Sequence, residues 1–105
     1  MSVQLLVVYP PPKDPADFER AYRDIHLPYA APRLTEGGAT GVSSKRVLGS
    51  PSGEPSSYWI SFIDFPTPAV AKSCAQSQGG REALENAASI STGGRPQYLL
   101  IGDVA

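Results

Sequence analysis

His26 is the only histidine in the 105-residue chain, and two aromatic side chains precede it at helical spacing. Tyr22 lies four residues before it and Phe18 lies eight before it, so a helix brings all three close to one face. Histidine has an unperturbed pKa near neutrality. We therefore predict that His26 is a catalytic general acid or base, moving a proton on a bound lactone, enol or hydroxylated ring. The alternative is a structural histidine at a helix end, donating to a carbonyl and interacting with the helix dipole.

A tyrosine hydroxyl or a carboxylate could hold the imidazole of His26 in place. Tyr22 is one helical turn away, and Tyr9 ends the first predicted strand. Both are candidate ligand-binding residues, together with Trp59 and Ser61, which share one face of a later strand. The indole could form a flat wall of a pocket, and the serine hydroxyl could bind a polar group of the ligand. For Trp59 the alternative is packing in the core of a dimer.

The sequence has few residues that could form a disulfide or bind a metal ion or a cofactor. Cys74 is the only cysteine, so it forms no internal disulfide. Its alanine-rich surroundings favour a buried, inert thiol over a reactive nucleophile. One histidine, one cysteine and no carboxylate pair at metal spacing predict no metal site. The glycine pairs match no dinucleotide or phosphate-loop fingerprint, so we expect no cofactor. Haem binding would depend on His26 alone.

Composition describes one small globular domain spanning residues 1–105. The chain is 41% hydrophobic and 18% charged, with a formal net charge of −1. Nucleic acid and anionic membranes normally bind a basic patch, and the sequence has no run of lysine or arginine. It also has no stretch of about 18 apolar residues and no leader pattern. We expect a cytoplasmic protein that binds neither nucleic acid nor membrane.

Proline and glycine mark the boundaries of the predicted elements. Asp14-Pro15 and Thr67-Pro68 each place an N-cap side chain before a proline in the first helical position. Pro28 has no amide donor, so the first helix should kink or end near His26. The predicted elements are strand 3–9, helix 14–26 with a short continuation to residue 34, strand 40–48, strand 57–65, helix 67–77, helical segment 81–89 and strand 98–102.

An apolar stripe on the first helix should pack against the sheet. The stripe has four-three-four spacing and comprises Phe18, Tyr22, Ile25 and Tyr29. In the second helical region, Gly79-Gly80 is predicted to interrupt the helix.

The order strand–helix–strand, repeated twice, indicates an α+β protein with the ferredoxin-like βαββαβ sandwich. Right-handed crossovers then give a four-stranded antiparallel sheet in the order 4-1-3-2, with both helices on one face. Strands 3–9 and 57–65 are apolar on both faces, and the last strand is an uncharged edge. We therefore predict a homodimer whose sheets enclose a barrel. Trp59 and Ser61 would line its interior, with Tyr58, Ile60 and Phe62 under the helices.

The N-terminal motif resembles the EthD family, which is named for a protein of ethyl tert-butyl ether degradation and belongs to the dimeric α+β barrel superfamily. The residues that carry the resemblance are Tyr9-Pro10, Lys13-Asp14-Pro15, Phe18, Tyr22 and His26-x-Pro28. The likeness covers nearly the whole chain. It continues through Val47-Leu48-Gly49, the third strand ending in Phe65, Gly79-Gly80-Arg81-Glu82-Ala83-Leu84 and the Gly93-Gly94 turn.

The resemblance implies a dimeric α+β barrel with a hydrophobic pocket for a small cyclic or aromatic compound. Related barrels include muconolactone-type isomerases, polyketide cyclases, cofactor-free monooxygenases and haem-binding enzymes. We therefore expect one of two functions. In the first, the chain is a cofactor-independent isomerase, lyase, cyclase or oxygenase that uses His26 for proton transfer. Alternatively, it is a non-catalytic accessory protein that binds a hydrophobic metabolite in a degradation or biosynthetic pathway.

Overall fold

The computed structural model describes residues 2–104, which form one sheet and a layer of helices. The elements in chain order are β1 (Val3–Tyr9), α1 (Pro15–Ala21), a π-helical turn (Tyr22–His26), α2 (Leu27–Glu36), β2 (Gly41–Arg46), β3 (Trp59–Phe65), α3 (Pro68–Gln76), α4 (Gln78–Ile90) and β4 (Gln97–Gly102).

All neighbouring strands of the sheet are antiparallel, in the order β2-β3-β1-β4. This is the predicted order 4-1-3-2 read from the opposite edge, so the predicted topology is confirmed. β1 and β3 occupy the centre. β4 is an edge strand, and its side chains Leu99, Leu100 and Ile101 are each about two-fifths exposed.

One face of the sheet packs against the helices, and alternate residues of β1 and β3 are buried there. The strand register places Ser61 opposite Val7 and Trp59 opposite Tyr9 on this face. The prediction for β3 was therefore wrong, because Trp59 and Ser61 face the helices instead of a barrel interior.

The other face of the sheet carries no helix. The register puts Ile60 and Phe62 on this open face, opposite Val8 and Leu6 of β1, and not beneath the helices as predicted. Because β3 is apolar on both faces, its sequence pattern does not indicate which face lies beneath the helices.

Both predicted N-caps are present. The Asp14 carboxylate accepts from the Asp17 amide at 3.2 Å, and the Thr67 hydroxyl accepts from the Val70 amide at 3.1 Å. The break between α3 and α4 differs from its prediction, since it falls at Ser77 and not at the following glycines. The Ser77 hydroxyl donates to the Cys74 carbonyl at 2.6 Å and accepts from the Gly80 amide at 3.0 Å.

Regular α-helix is interrupted up to His26 and a helical continuation follows, in line with the predicted kink or end near His26 and the predicted continuation. A π turn covers Tyr22–His26, and α2 continues to Glu36 beyond it. The Leu27 amide accordingly bonds the Tyr22 carbonyl, five residues back. Pro28 follows at once and lacks the amide needed for an α-helical bond, which accounts for the position of the wide turn.

The π turn changes which side chains face the sheet. Ile25 is 58% exposed, so its place in the predicted stripe was wrong. Residues four apart drift by about 40° per step on an α-helix, because one turn takes 3.6 residues. The wider turn offsets that drift. The buried row consequently runs Phe18, Tyr22, His26, Ala30 and Leu34.

Within the described residues, no helix has the length and apolar character that crossing a membrane requires.

Candidate active site

A small cavity lies between the helical layer and the sheet. Its volume is about 10 Å³, room for about one water molecule. Tyr22, His26 and Ser61 supply its polar side chains, and the remaining lining residues are apolar, with no charged group among them. Alanines from α2 and α4 form much of the wall, including Ala30 and Ala87. The cavity therefore brings three of the five predicted site residues together.

His26 is 6% exposed and is oriented by Asn86 of α4. Its Nδ1 lies 2.8 Å from the Asn86 amide oxygen. An amide oxygen only accepts hydrogen bonds, so Nδ1 carries the proton and Nε2 is the free base. Nε2 has no hydrogen-bond partner among the described residues and is not one of their fully buried unpaired atoms. Neither a tyrosine nor a carboxylate orients the ring, in contrast to the prediction.

The charge state of His26 follows from its burial. Desolvation lowers the pKa of His26 below its ordinary value, and the hydrogen bond to Asn86 only partly opposes this shift. The imidazole is therefore neutral at pH 7. A neutral ring that lines a cavity and has an unprotonated Nε2 can accept a proton from a bound molecule.

The Tyr22 hydroxyl joins two strands of the sheet. It lies 2.6 Å from the Ser61 hydroxyl on β3 and 2.5 Å from the Ser44 hydroxyl on β2. Its ring centroid is 5.3 Å from that of His26. The π turn thus presents both Tyr22 and His26 to the cavity, one from each of its ends.

Tyr9 and Trp59 do not line the cavity, but their rings pack against Tyr22. The centroid separations from Tyr22 are 6.1 Å for Tyr9 and 5.1 Å for Trp59. Phe18 contacts both rings as well. Burial and the neighbouring tyrosines strongly raise the pKa of Tyr9, so its hydroxyl stays protonated.

Sequence reasoning missed Asn86 and Ser44. Asn86 lies three residues after the buried Ala83 and four before the buried Ile90, so it is a polar residue in the apolar seam of α4. That contrast is the signal that could have identified it. Ser44 has no comparable signal, because β2 is polar along most of its length.

Cys74 is buried as predicted, with 2% exposure, and burial raises the pKa of its thiol. Within residues 2–104, no group of three or more histidine, cysteine or acidic side chains is arranged to hold a metal ion.

The sequence matches no protein-family model, and no curated protein shows significant sequence similarity to it. Solved structures do match. An EthD-family protein of Bacillus halodurans C-125 superposes with a TM-score of 0.81 at 22% identity, covering 99% of this chain and 100% of that one. The chain has the fold of EthD-family proteins. The resemblance to the EthD family noted from the N-terminal motif is therefore confirmed at the level of the fold.

Two more distant structures share the fold. A dimeric ferredoxin-like protein of unknown function from Jannaschia sp. CCS1 matches with a TM-score of 0.73 at 11% identity, covering 98% of this chain and 100% of that one. SnoaB, a cofactor-independent oxygenase from Streptomyces nogalater, matches with a TM-score of 0.66 at 11% identity, covering 99% and 94%. The same sandwich therefore occurs in a dimer and in an enzyme without a cofactor.

Proposed function

We propose that this EthD-like chain is a cytoplasmic homodimer that binds a compact hydrophobic cyclic or aromatic metabolite and transfers a proton on it through His26. The observation that carries the proposal is the neutral imidazole of His26, which lines the cavity and is held at Nδ1 by Asn86, so that Nε2 is left unprotonated. Such a base needs no cofactor to remove a proton from an enol, a phenol or a carbon next to a carbonyl. The reaction class is isomerisation, lyase or cyclase chemistry, or cofactor-free oxygenation.

The ligand pocket must be larger than the present cavity. A compact ring compound needs far more room than about 10 Å³. Small alanine side chains line the wall on the helical side, and the π turn carries two of the three polar groups. A shift of this turn away from the sheet enlarges the cavity at the cost of the Tyr22 hydrogen bonds to Ser44 and Ser61.

A binding screen with a chemical readout tests the proposal. The purified protein is incubated with lactones, quinones and polyketide-like phenols, and native mass spectrometry detects bound or altered compounds. We expect His26→Gln to reduce turnover about 100-fold or more while the ligand still binds. Ile25→Gln is the matched control, because Ile25 is the neighbouring side chain and faces solvent.

The accessory-protein alternative gives a different result in the same screen. It predicts that wild type binds a compound and returns it unchanged under all conditions. The fold of SnoaB favours the enzyme, since a cofactor-free reaction occurs on that scaffold. Equal turnover by wild type and His26→Gln would remove His26 from the mechanism.

A further inference from the structure

Two buried hydrogen-bond donors have no partner among the described residues. They are the Tyr9 hydroxyl and the Trp59 indole nitrogen. Tyr9 is completely buried; the nearby Ser61 hydroxyl acts to lower its pKa, but it does not lie in hydrogen-bonding geometry with the Tyr9 hydroxyl. Native proteins leave few buried donors unpaired, and each one that remains needs an explanation, such as a catalytic role or a bound water or ion.

Both donors adjoin the candidate active site through one residue. The Tyr22 ring packs against the rings of Tyr9, Trp59 and His26. Tyr22 also begins the π turn. Tyr22 is therefore the one side chain that both lines the cavity and packs against the rings of the two residues with unpaired donors.

The polar atoms without partners around the cavity and the Tyr22 ring indicate which ligand would be complementary. Tyr9 and Trp59 offer donors, while Nε2 of His26 offers an acceptor. No carboxylate, lysine or arginine lines the cavity, and His26 is neutral, so a charged ligand would lose its hydration without compensation. A neutral molecule with carbonyl oxygens at one end satisfies both donors.

We propose that the Tyr9 hydroxyl and the Trp59 indole N–H donate hydrogen bonds to carbonyl oxygens of a neutral ring ketone or quinone, which occupies the cavity and the space of a displaced Tyr22 ring. This inference rests on the proposed function, since it names the substrate class of the same site. It also explains why two donors are kept unpaired in the free protein, where each costs folding free energy.

The test compares two ligands that differ by one carbonyl group, 1-tetralone and tetralin. Their dissociation constants are measured by calorimetry with wild type, Tyr9→Phe and Trp59→Phe. Tyr29→Phe is the control, because it removes a hydroxyl from a tyrosine outside the cavity. Trp59 is the only tryptophan, so its fluorescence gives a second readout of tetralone binding in wild type and Tyr9→Phe.

We expect Tyr9→Phe and Trp59→Phe each to weaken tetralone binding about 3- to 10-fold, the value of one neutral hydrogen bond. Tetralin affinity should not change, and Tyr29→Phe should leave both ligands unaffected. Tyr9→Phe should also keep or raise the melting temperature of the free protein, because it deletes an unpaired buried hydroxyl.

Three outcomes contradict the inference in distinguishable ways. If wild type binds both ligands and neither variant alters the preference for tetralone, the donors have another role and the proposed function stands. If the variants weaken both ligands equally, the effect is one of packing. If wild type binds neither ligand nor any compound of the screen, the proposed function fails as well. Should Trp59→Phe not fold, Tyr9→Phe alone decides the result.

Discussion

Tyr22 is the residue that most directly couples the helices to the sheet at the cavity. Its hydroxyl bonds Ser61, which is 3% exposed, and Ser44, which is half-buried. Ser44 has access to water when the tyrosine hydroxyl is missing, whereas Ser61 does not. The two serines should therefore respond differently to loss of Tyr22.

We expect Tyr22→Phe to lower the free energy of unfolding by about 1–3 kcal/mol, because it leaves the buried Ser61 hydroxyl without its partner. Ser61→Ala should cost about 1 kcal/mol or less, since Tyr22 keeps its bond to Ser44. Urea denaturation of both variants and of the double variant measures the difference. Equal costs for the two single substitutions would show that Ser61 finds another partner.

The burial of His26 gives folding a pH dependence with a defined sign. Because the folded-state pKa lies below the ordinary value of 6.5, the unfolded chain takes up this proton first as the pH falls. The contribution of His26 to stability is thus present above pH 6.5 and is lost as the pH falls through the folded-state pKa.

Wild type should accordingly lose more stability than His26→Gln between pH 7 and pH 5. Denaturant unfolding of the two proteins at several pH values isolates the histidine, because all other titrating groups are shared. A wild-type advantage that grows towards acid would contradict the neutral, buried imidazole.

At the scale of elements, the junction of α3 and α4 positions Asn86 against His26. A Cβ atom added to Gly80 would lie 1.8 Å from the Cys74 carbonyl oxygen, which is backbone and cannot move away alone. A Cβ atom on Gly79 meets only ordinary contacts, the nearest at 3.5 Å from Arg33. The two adjacent glycines therefore have different roles.

We expect Gly80→Ala to destabilise the protein by about 1–3 kcal/mol or more, through displacement of the first turn of α4. Gly79→Ala should be neutral or stabilising by about 0.5–1 kcal/mol, because alanine favours the helix. Thermal unfolding of the pair measures both effects. Similar losses for both variants would mean that the helix start tolerates no side chain at all.

Some features of the fold and the candidate site could be predicted from the sequence, and others could not. Both proline-led helix starts and the buried Cys74 follow from the local sequence, and the strand order follows from the element order and right-handed crossovers. The exposure of Ile25 does not, because a π turn depends on Pro28 together with the packing of the whole helix. The burial of Ser61 likewise depends on Tyr22, a partner 39 residues away.

At the scale of the whole molecule, the open face of the sheet needs a cover. The register places Leu6, Phe62 and Leu99 side by side across three strands on this face. Continuous apolar surface of this kind marks an interface. We infer that a second copy of this chain covers the face.

Sedimentation velocity at micromolar concentration should give twice the 11.1 kDa mass of one chain. Leu6→Lys, at the centre of the open face, should produce a folded monomer, because lysine cannot be buried there unpaired. Ile25→Lys is the control on the helical side and should remain dimeric. A monomeric wild type, or a Leu6→Lys variant that stays dimeric, would contradict the predicted interface.

The protonation state of the His26 imidazole is central to the proposed chemistry, and nitrogen NMR of this sole histidine measures it directly. With ¹⁵N-labelled protein, the two ring nitrogens of His26 are followed through a pH titration. We predict a proton on Nδ1, an unprotonated Nε2 at pH 7 and a pKa below 6.5. A proton on Nε2 at pH 7, or a pKa at or above 6.5, would contradict the assignment of His26 as the base.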